Sequence, residues 1–325
     1  MKNKIYLFLR VLVSLTLVFI LLWMMRGNLG HVVSTIKNAD LALLVFSFLI
    51  YVLTIVLMGV RLRMVLLVQK INLTLKEVVY LCFLGLFFNN FLPTTFGGDL
   101  VKAYYAGKKC NRKSAAFTGV LMDRILAMLP FTFLPVCALI FTRDKIENPV
   151  IMYFILAVFA ITIFVLLLLF NRRVASFFKF LIKPFTGKPV YQKIIKIYDS
   201  LNVYRHHKII LAWTFLISLS SQALFIVSVF ISAKAIGINS IPCGVFFLLV
   251  PIVSVMGMLP SVNGLGIREA GFVYMFKSYV STSVAFALSI LALAMLIGVS
   301  IIGAFIYAFK KNLYSFKPEN EGDLL

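Results

Sequence analysis

Apolar residues run along this chain in long unbroken stretches separated by short basic segments. Stretches at about 5–25, 41–60, 115–142, 150–170, 209–233 and 283–309 approach or exceed the ~20 residues that carry a helix across a hydrocarbon core. Continuous runs of this kind predict helices. Barrel strands would instead show short alternating segments, and backbone in lipid must close its hydrogen bonds within a helix or a barrel. Two further apolar stretches, 78–92 and 242–259, differ from the rest because each runs into a cluster of Pro, Gly, Asn and Thr or Ser. The first run follows Lys2 and Lys4 and stops at Arg26-Gly27-Asn28. It is long for a signal-peptide core and no small-residue cleavage site follows, so it reads as an uncleaved span.

The basic segments give the orientation. Segment 61–77 carries Arg61, Arg63, Lys70 and Lys76, and segment 102–113 carries Lys102, Lys108, Lys109, Arg112 and Lys113. Segment 171–208 is the richest in Lys and Arg, and Lys310, Lys311 and Lys317 follow the last span. Segments 143–149 and 234–241 lack such an excess. The positive-inside rule therefore places both termini and the basic segments in the cytoplasm of a multi-pass cell-membrane protein. Segments 61–77 and 102–113 then lie on one side, so 78–101 must enter and return, and 242–282 must do the same from the opposite face. The predicted fold class is an all-α integral membrane bundle. It has two inverted units, 41–142 and 209–309, each with a broken or re-entrant helical hairpin. Residues 1–316 form one transmembrane domain, 171–208 a cytoplasmic basic connector, and 317–325 a disordered tail. The connector reads as an amphipathic surface segment or as a plain basic loop.

Composition removes the soluble alternatives. Of 325 residues, 62% are hydrophobic and 13% charged, where a soluble domain has about a quarter charged; the mean hydropathy is +1.02. The net charge of +21 sits between the spans, where it serves topology and attraction to anionic lipid. No nucleic acid partner is expected. Cys82, Cys110, Cys137 and Cys243 form no CxxC pair, and His206 and His207 are adjacent among basic residues while His31 stands alone. No metal or other cofactor is expected.

Three constellations place polar chemistry within apolar surroundings. The first runs from Asn89 to Lys102 and holds Asn89, Asn90, Pro93, Thr94, Thr95, Gly97, Gly98, Asp99 and Lys102. Polar groups in hydrocarbon are expensive unless paired or facing a cavity. Pro93 removes a backbone donor, Gly97-Gly98 relaxes the chain, and amides freed there suit an anion such as a phosphate headgroup. The second runs from Leu259 to Ala270, with a break at Pro260 and candidates Asn263, Gly264, Gly266, Arg268 and Glu269. Arg268 offers a forked contact to phosphate or carboxylate. A capped turn at the membrane surface is the plain structural reading of both. The third is Asp123-Arg124 inside the span 115–142, either a gate or a structural pair with Asp99 or Glu269 as partner. Pro93 in the first break and Pro260 in the second share the spacing P-[ST]-x-x-G.

The run NNFLPTTFGGDLVKAYY, the DR pair of the next span and LPSVNGLGIREAGF together resemble the transmembrane region of lysylphosphatidylglycerol synthases and the wider flippase-like group around it. The resemblance covers about 1–310. Where many members have GG-x-G, this chain has Asn263-Gly264-Leu265-Gly266. The resemblance implies a lipid translocase without a nucleotide-binding site, moving a polar or anionic-headgroup lipid between leaflets. The aminoacyl-transfer half of two-domain relatives is not expected in this chain, so enzymatic activity is not expected either. Implied partners are membrane lipids: an anionic or aminoacylated phospholipid, or another lipid-linked substrate. A second copy of the chain and a lipid-modifying enzyme stay open as protein partners. The alternative is an integral-membrane enzyme or accessory subunit acting on a lipid-linked substrate, for which a dense carboxylate or His cluster would speak.

Overall fold

The computed structural model describes residues 29–90, 97–142, 149–170, 198–259 and 264–309, with single positions 192 and 195. Ten α-helices occur among them. These are α1 Leu29–Lys37, α2 Leu41–Val68, α3 Leu75–Asn89, α4 Gly97–Lys109, α5 Lys113–Thr142, α6 Pro149–Phe170, α7 Lys208–Ala235, α8 Cys243–Met256, α9 Ile267–Phe276 and α10 Thr282–Phe309. A 3-10 turn, Val203–His206, precedes α7. The apolar run predicted at 5–25 lies outside the described residues, as do 91–96, 260–263 and the tail.

Four helices, α2, α5, α7 and α10, are long and apolar enough to cross a membrane, and the chain is a multi-pass, all-α membrane protein. Their surfaces fit a hydrocarbon solvent: Leu41, Phe46, Leu49, Ile140, Phe141, Trp213, Leu216, Ile301 and Phe305 are all exposed. In water such a surface would drive association. The helix starts are capped as their sequences allow. Asp40 accepts hydrogen bonds from the amides of Ala42 and Leu43. Thr74 and Glu77 close a capping box on α3, which satisfies amides left open by the first turn.

The hydrophobic runs and the helices agree closely at 115–142, 150–170, 209–233 and 283–309. They disagree at the end of α2. The apolar run ends at about 60, whereas α2 continues to Val68 and carries Arg61 and Arg63 of the basic segment 61–77 within it. Arg61 is 3% exposed. It stays in the helix because its guanidinium finds a buried carboxylate on α5, described below, while Arg63 donates to the Leu73 carbonyl.

Helices α2 and α7 form an antiparallel seam at the centre. The Asp40 amide donates to the Ala235 carbonyl at one end, and Ser47 Oγ lies 2.7 Å from Ser232 Oγ a turn further on. Arg61 meets Ser218, and the Tyr204 hydroxyl donates to the Val65 carbonyl at the far end. Around this seam the other elements contact each other in matched fashion. Helix α3 packs on α10 while α8 packs on α5, and α4 packs on α5 while α9 packs on α10. One hydrophobic core gathers α3, α4 and the first part of α5 against α2. Another gathers α8, α9 and much of α10 against α7 and the end of α5. Phe48 and Tyr51 of α2 border both. Helices α3, α4, α8 and α9 have 15, 13, 14 and 10 residues, which at ~1.5 Å per residue leaves each short of a ~30 Å core.

Candidate functional site

A cavity of about 250 Å3 opens between the two cores. Its walls come from seven helices: Tyr51, Thr54, Met58 and Arg61 on α2, Arg124, Met128 and Phe131 on α5, Ser218, Ser221, Gln222 and Phe225 on α7, Leu86 on α3, Ser254 on α8, Arg268 on α9 and Leu296 on α10. Gly257 and Met258 extend the α8 wall. The lining residues of α2, α5, α7 and α10 fall in the middle of those long helices, so the cavity sits deep between the two ends of the bundle.

Three arginines reach this cavity, and each is backed by a carboxylate. Arg61 grips Asp123 with a fork: Nε donates to Oδ1 at 2.7 Å and Nη2 to Oδ2 at 3.2 Å, while Nη1 donates to Ser218 Oγ at 3.2 Å. Such bidentate pairs fix orientation as well as charge. Arg268 Nη2 donates to Glu269 Oε1 at 2.9 Å, and Glu269 Oε2 accepts from the Gly266 amide at 2.6 Å. Arg124 Nη1 stands 3.6 Å from Asp99 Oδ2, and Lys102 Nζ donates to Asp99 Oδ1 at 2.9 Å. No Asp, Glu or Lys is among the described lining residues. Gln222 is 8% exposed, and its Nε2 has no hydrogen-bond partner, an uncommon state for a buried amide.

The residues singled out from sequence divide three ways. Arg124 and Arg268 line the cavity, Asp99, Asp123 and Glu269 stand directly behind lining arginines, and Lys102 stands behind Asp99. A second set shapes the hairpins. Asn89 Oδ1 accepts from the Gly98 amide at 2.6 Å, Asn90 Nδ2 donates to Ser300 Oγ on α10 at 2.6 Å, and Gly97 opens α4. A Cβ placed on Gly98 would lie 2.0 Å from the Gly85 carbonyl oxygen, so only glycine lets α3 and α4 approach this closely. Gly264 and Gly266 take φ of +80° and +83°, the left-handed region that side chains rarely adopt. The third set, Pro93, Thr94, Thr95, Pro260 and Asn263, lies outside the described residues. For the Asp123-Arg124 pair sequence reasoning offered Asp99 or Glu269 as partner and did not name Arg61, which the structure sets against Asp123. Asp99 meets Arg124.

Sequence reasoning missed Arg61, Tyr51, Thr54, Ser218, Ser221, Gln222 and Ser254. A signal existed for α7, where Thr214, Ser218, Ser221, Gln222 and Phe225 recur at helical spacing and so share one face. Among the described residues no three of His, Cys, Asp and Glu come together as a metal site would need.

Comparison with known proteins now has a geometry to meet. The chain is similar to a UPF0104 membrane protein of Pyrococcus horikoshii, 27% identical over 165 residues, covering 50% of this chain and 48% of the relative. It is also similar to a UPF0104 membrane protein of Methanocaldococcus jannaschii, 24% identical over 212 residues, covering 61% and 63%. The matches thus span about half and under two thirds of these relatives' lengths. No solved structure matches the chain significantly. The family model described as the lysylphosphatidylglycerol synthase TM region matches residues 7–303, the transmembrane part and not an aminoacyl-transfer domain. With nine tenths of its length matched in this way, the chain belongs to the lysylphosphatidylglycerol synthase transmembrane-region family.

Proposed function

We propose that this protein is a lipid translocase that passes a headgroup through the arginine-lined cavity while the acyl chains stay in the bilayer. The observation that carries the reading is the placement of Arg61, Arg124 and Arg268 around one cavity at the middle of the long helices. Ionisable groups at that depth are costly, and they mark substrate pathways when they face a cavity. The volume of about 250 Å3 lies just under the ~300–1,000 Å3 of small-molecule sites, a size for a headgroup and not for a whole lipid.

The matched contacts support an inverted-repeat reading. Exchanging α2 with α7, α3 with α8, α4 with α9 and α5 with α10 reproduces the contact pattern, and the antiparallel seam makes the two units opposite in direction. The hairpins α3–α4 and α8–α9 are then re-entrant, entering from opposite faces, with Leu86 of one and Ser254, Gly257, Met258 and Arg268 of the other on the cavity. Secondary transporters place substrate sites at such repeat interfaces. Both termini are cytoplasmic in this reading, by the distribution of Lys and Arg. Membrane lipids are the partners. An anionic or aminoacylated phospholipid is the substrate class that the family relationship suggests, and localisation is the cell membrane.

The test is movement of fluorescent phospholipid between leaflets in reconstituted liposomes. Wild-type protein should accelerate it, and Arg268→Ala and Asp99→Asn should abolish it while the purified variants elute as the wild type does. Unchanged rates in both variants would sink the proposal.

A further inference from the structure

We propose that the cavity accepts a phosphate anion carrying no cationic substituent, so that its cargo is an anionic phosphate lipid and not an aminoacylated one. The inference deepens the translocase reading and rests on it for the word cargo, but its argument is the balance of charge at the site.

Among the described residues, the ionic network that backs the cavity sets four cations, the lining Arg61, Arg124 and Arg268 and the more remote Lys102, against three carboxylates, Asp99, Asp123 and Glu269. One positive charge is left in excess, the complement of a phosphodiester. Two of the carboxylates are also committed atom by atom. Both oxygens of Asp123 accept from Arg61. Those of Glu269 accept from Arg268 and from the Gly266 amide. Asp99 Oδ1 accepts from Lys102, and its Oδ2 stands 3.6 Å from Arg124 Nη1 without a hydrogen bond, behind the cavity wall. An ammonium group entering here would meet three guanidinium groups and no carboxylate among the described lining residues. Like charges brought together away from water are strongly unfavourable.

The other acidic residues of the chain fall elsewhere in the sequence. Of its 11 Asp and Glu, Asp40 and Glu77 cap helix starts, and Asp199 precedes the 3-10 turn. Asp144, Glu147, Glu319, Glu321 and Asp323 lie in sequence past the ends of α5 and α10. Segments 91–96 and 260–263, which join the hairpin helices, contain no ionisable residue. Gln222 is the independent sign of an anion. Its Nε2 is a buried donor without an acceptor, on the same cavity as the three arginines, and a phosphate oxygen would satisfy it. A donor left unmet in this way costs free energy that a ligand can recover.

The experiment compares phosphatidylglycerol, lysyl-phosphatidylglycerol and phosphatidylcholine in the same liposome assay, together with efflux and binding of inorganic phosphate. Phosphatidylglycerol should move at least about tenfold faster than the lysyl form. Gln222→Glu, which adds an uncommitted carboxylate, should narrow that gap. If that variant does not fold, Arg268→Gln serves in its place, slowing phosphatidylglycerol and leaving the lysyl form no slower. Equal or faster movement of the lysyl form would overturn the inference and leave the translocase reading standing. Phosphate efflux or binding that is lost in Arg268→Gln, with no lipid moving, would uphold the anion site and overturn the translocase reading. No movement of any lipid and no phosphate binding would overturn both.

Discussion

Two arginines face the same cavity and are held in opposite ways. Arg61 spans between α2 and α5, with its fork closed on Asp123 and its third nitrogen on Ser218. Arg268 leans on the next residue of its own short helix, and Glu269 is turned toward it by the Gly266 amide. The hairpins behind them differ in the same sense. The first is braced: Gly98 sits against the Gly85 carbonyl, Asn89 holds the Gly98 amide, and Lys102 lies across Gly85. The second is bent by two residues at positive φ and gives Ser254, Gly257, Met258 and Arg268 to the cavity. Matched topology has been spent on different tasks. One half ties helices together, and in the proposed translocase the other presents charge to the ligand.

That contrast can be broken most sharply at Asp123. Asp123→Ala strands the buried Arg61 and should cost about 3–5 kcal/mol, whereas the double variant Arg61→Met, Asp123→Leu should recover most of the loss; thermal unfolding in detergent reads both. An equal loss in the double variant would show that the pair does more than neutralise itself. Next comes Gly98→Val, which forces α3 and α4 apart and should destabilise by roughly 1–3 kcal/mol or more, as overpacking does. Gly266→Ala should cost about 1–2 kcal/mol for its left-handed backbone. A larger loss at Gly266 than at Gly98 would reverse the assignment of brace and bend. Arg268→Gln should lower stability by less than about 1 kcal/mol while slowing phosphatidylglycerol transport, because Glu269 keeps its amide donor.

The smallest effect concerns acid. Burial alone would raise the Glu77 carboxyl, but hydrogen bonds from Lys109 and from the Thr74 amide and hydroxyl outweigh it and hold the group below its ordinary 4.5. A carboxyl lowered on folding adds stability that is fully present above its unfolded value. That stability fades as pH falls through the folded value. Wild-type protein should therefore lose a little more stability between about pH 5 and pH 3 than Glu77→Gln does; parallel melting curves would refute it.

The long spans were legible because lipid imposes one rule on every residue of a crossing helix. Legibility failed where side chains answer to a partner. Arg61 looked like the start of a cytoplasmic segment, since a basic residue after an apolar run usually is one, and only Asp123, 62 positions on, shows otherwise. Asp123 itself was the clue: an acid within a span needs a cation, and a search over lone arginines near span ends would have included Arg61. The hydroxyls and the amide of α7 escaped because serines inside a span usually bond their own helix, as Ser218 and Ser221 do. Arg124, Asp99 and Arg268 were found because charge or a Pro-Gly break advertised them.

Helix α6 gives the seam its meaning. Among its described side chains only Ile155 is buried, and its contacts are with α5. By packing it hardly matters. Yet without it the chain would leave α5 on the side where α7 ends, and α7 would run alongside α2 instead of against it. The helix works by parity: it adds one traversal, so that α7 begins on the face opposite the one where α2 began and runs against it. Its sequence is free to drift among apolar residues, whereas its presence is not negotiable.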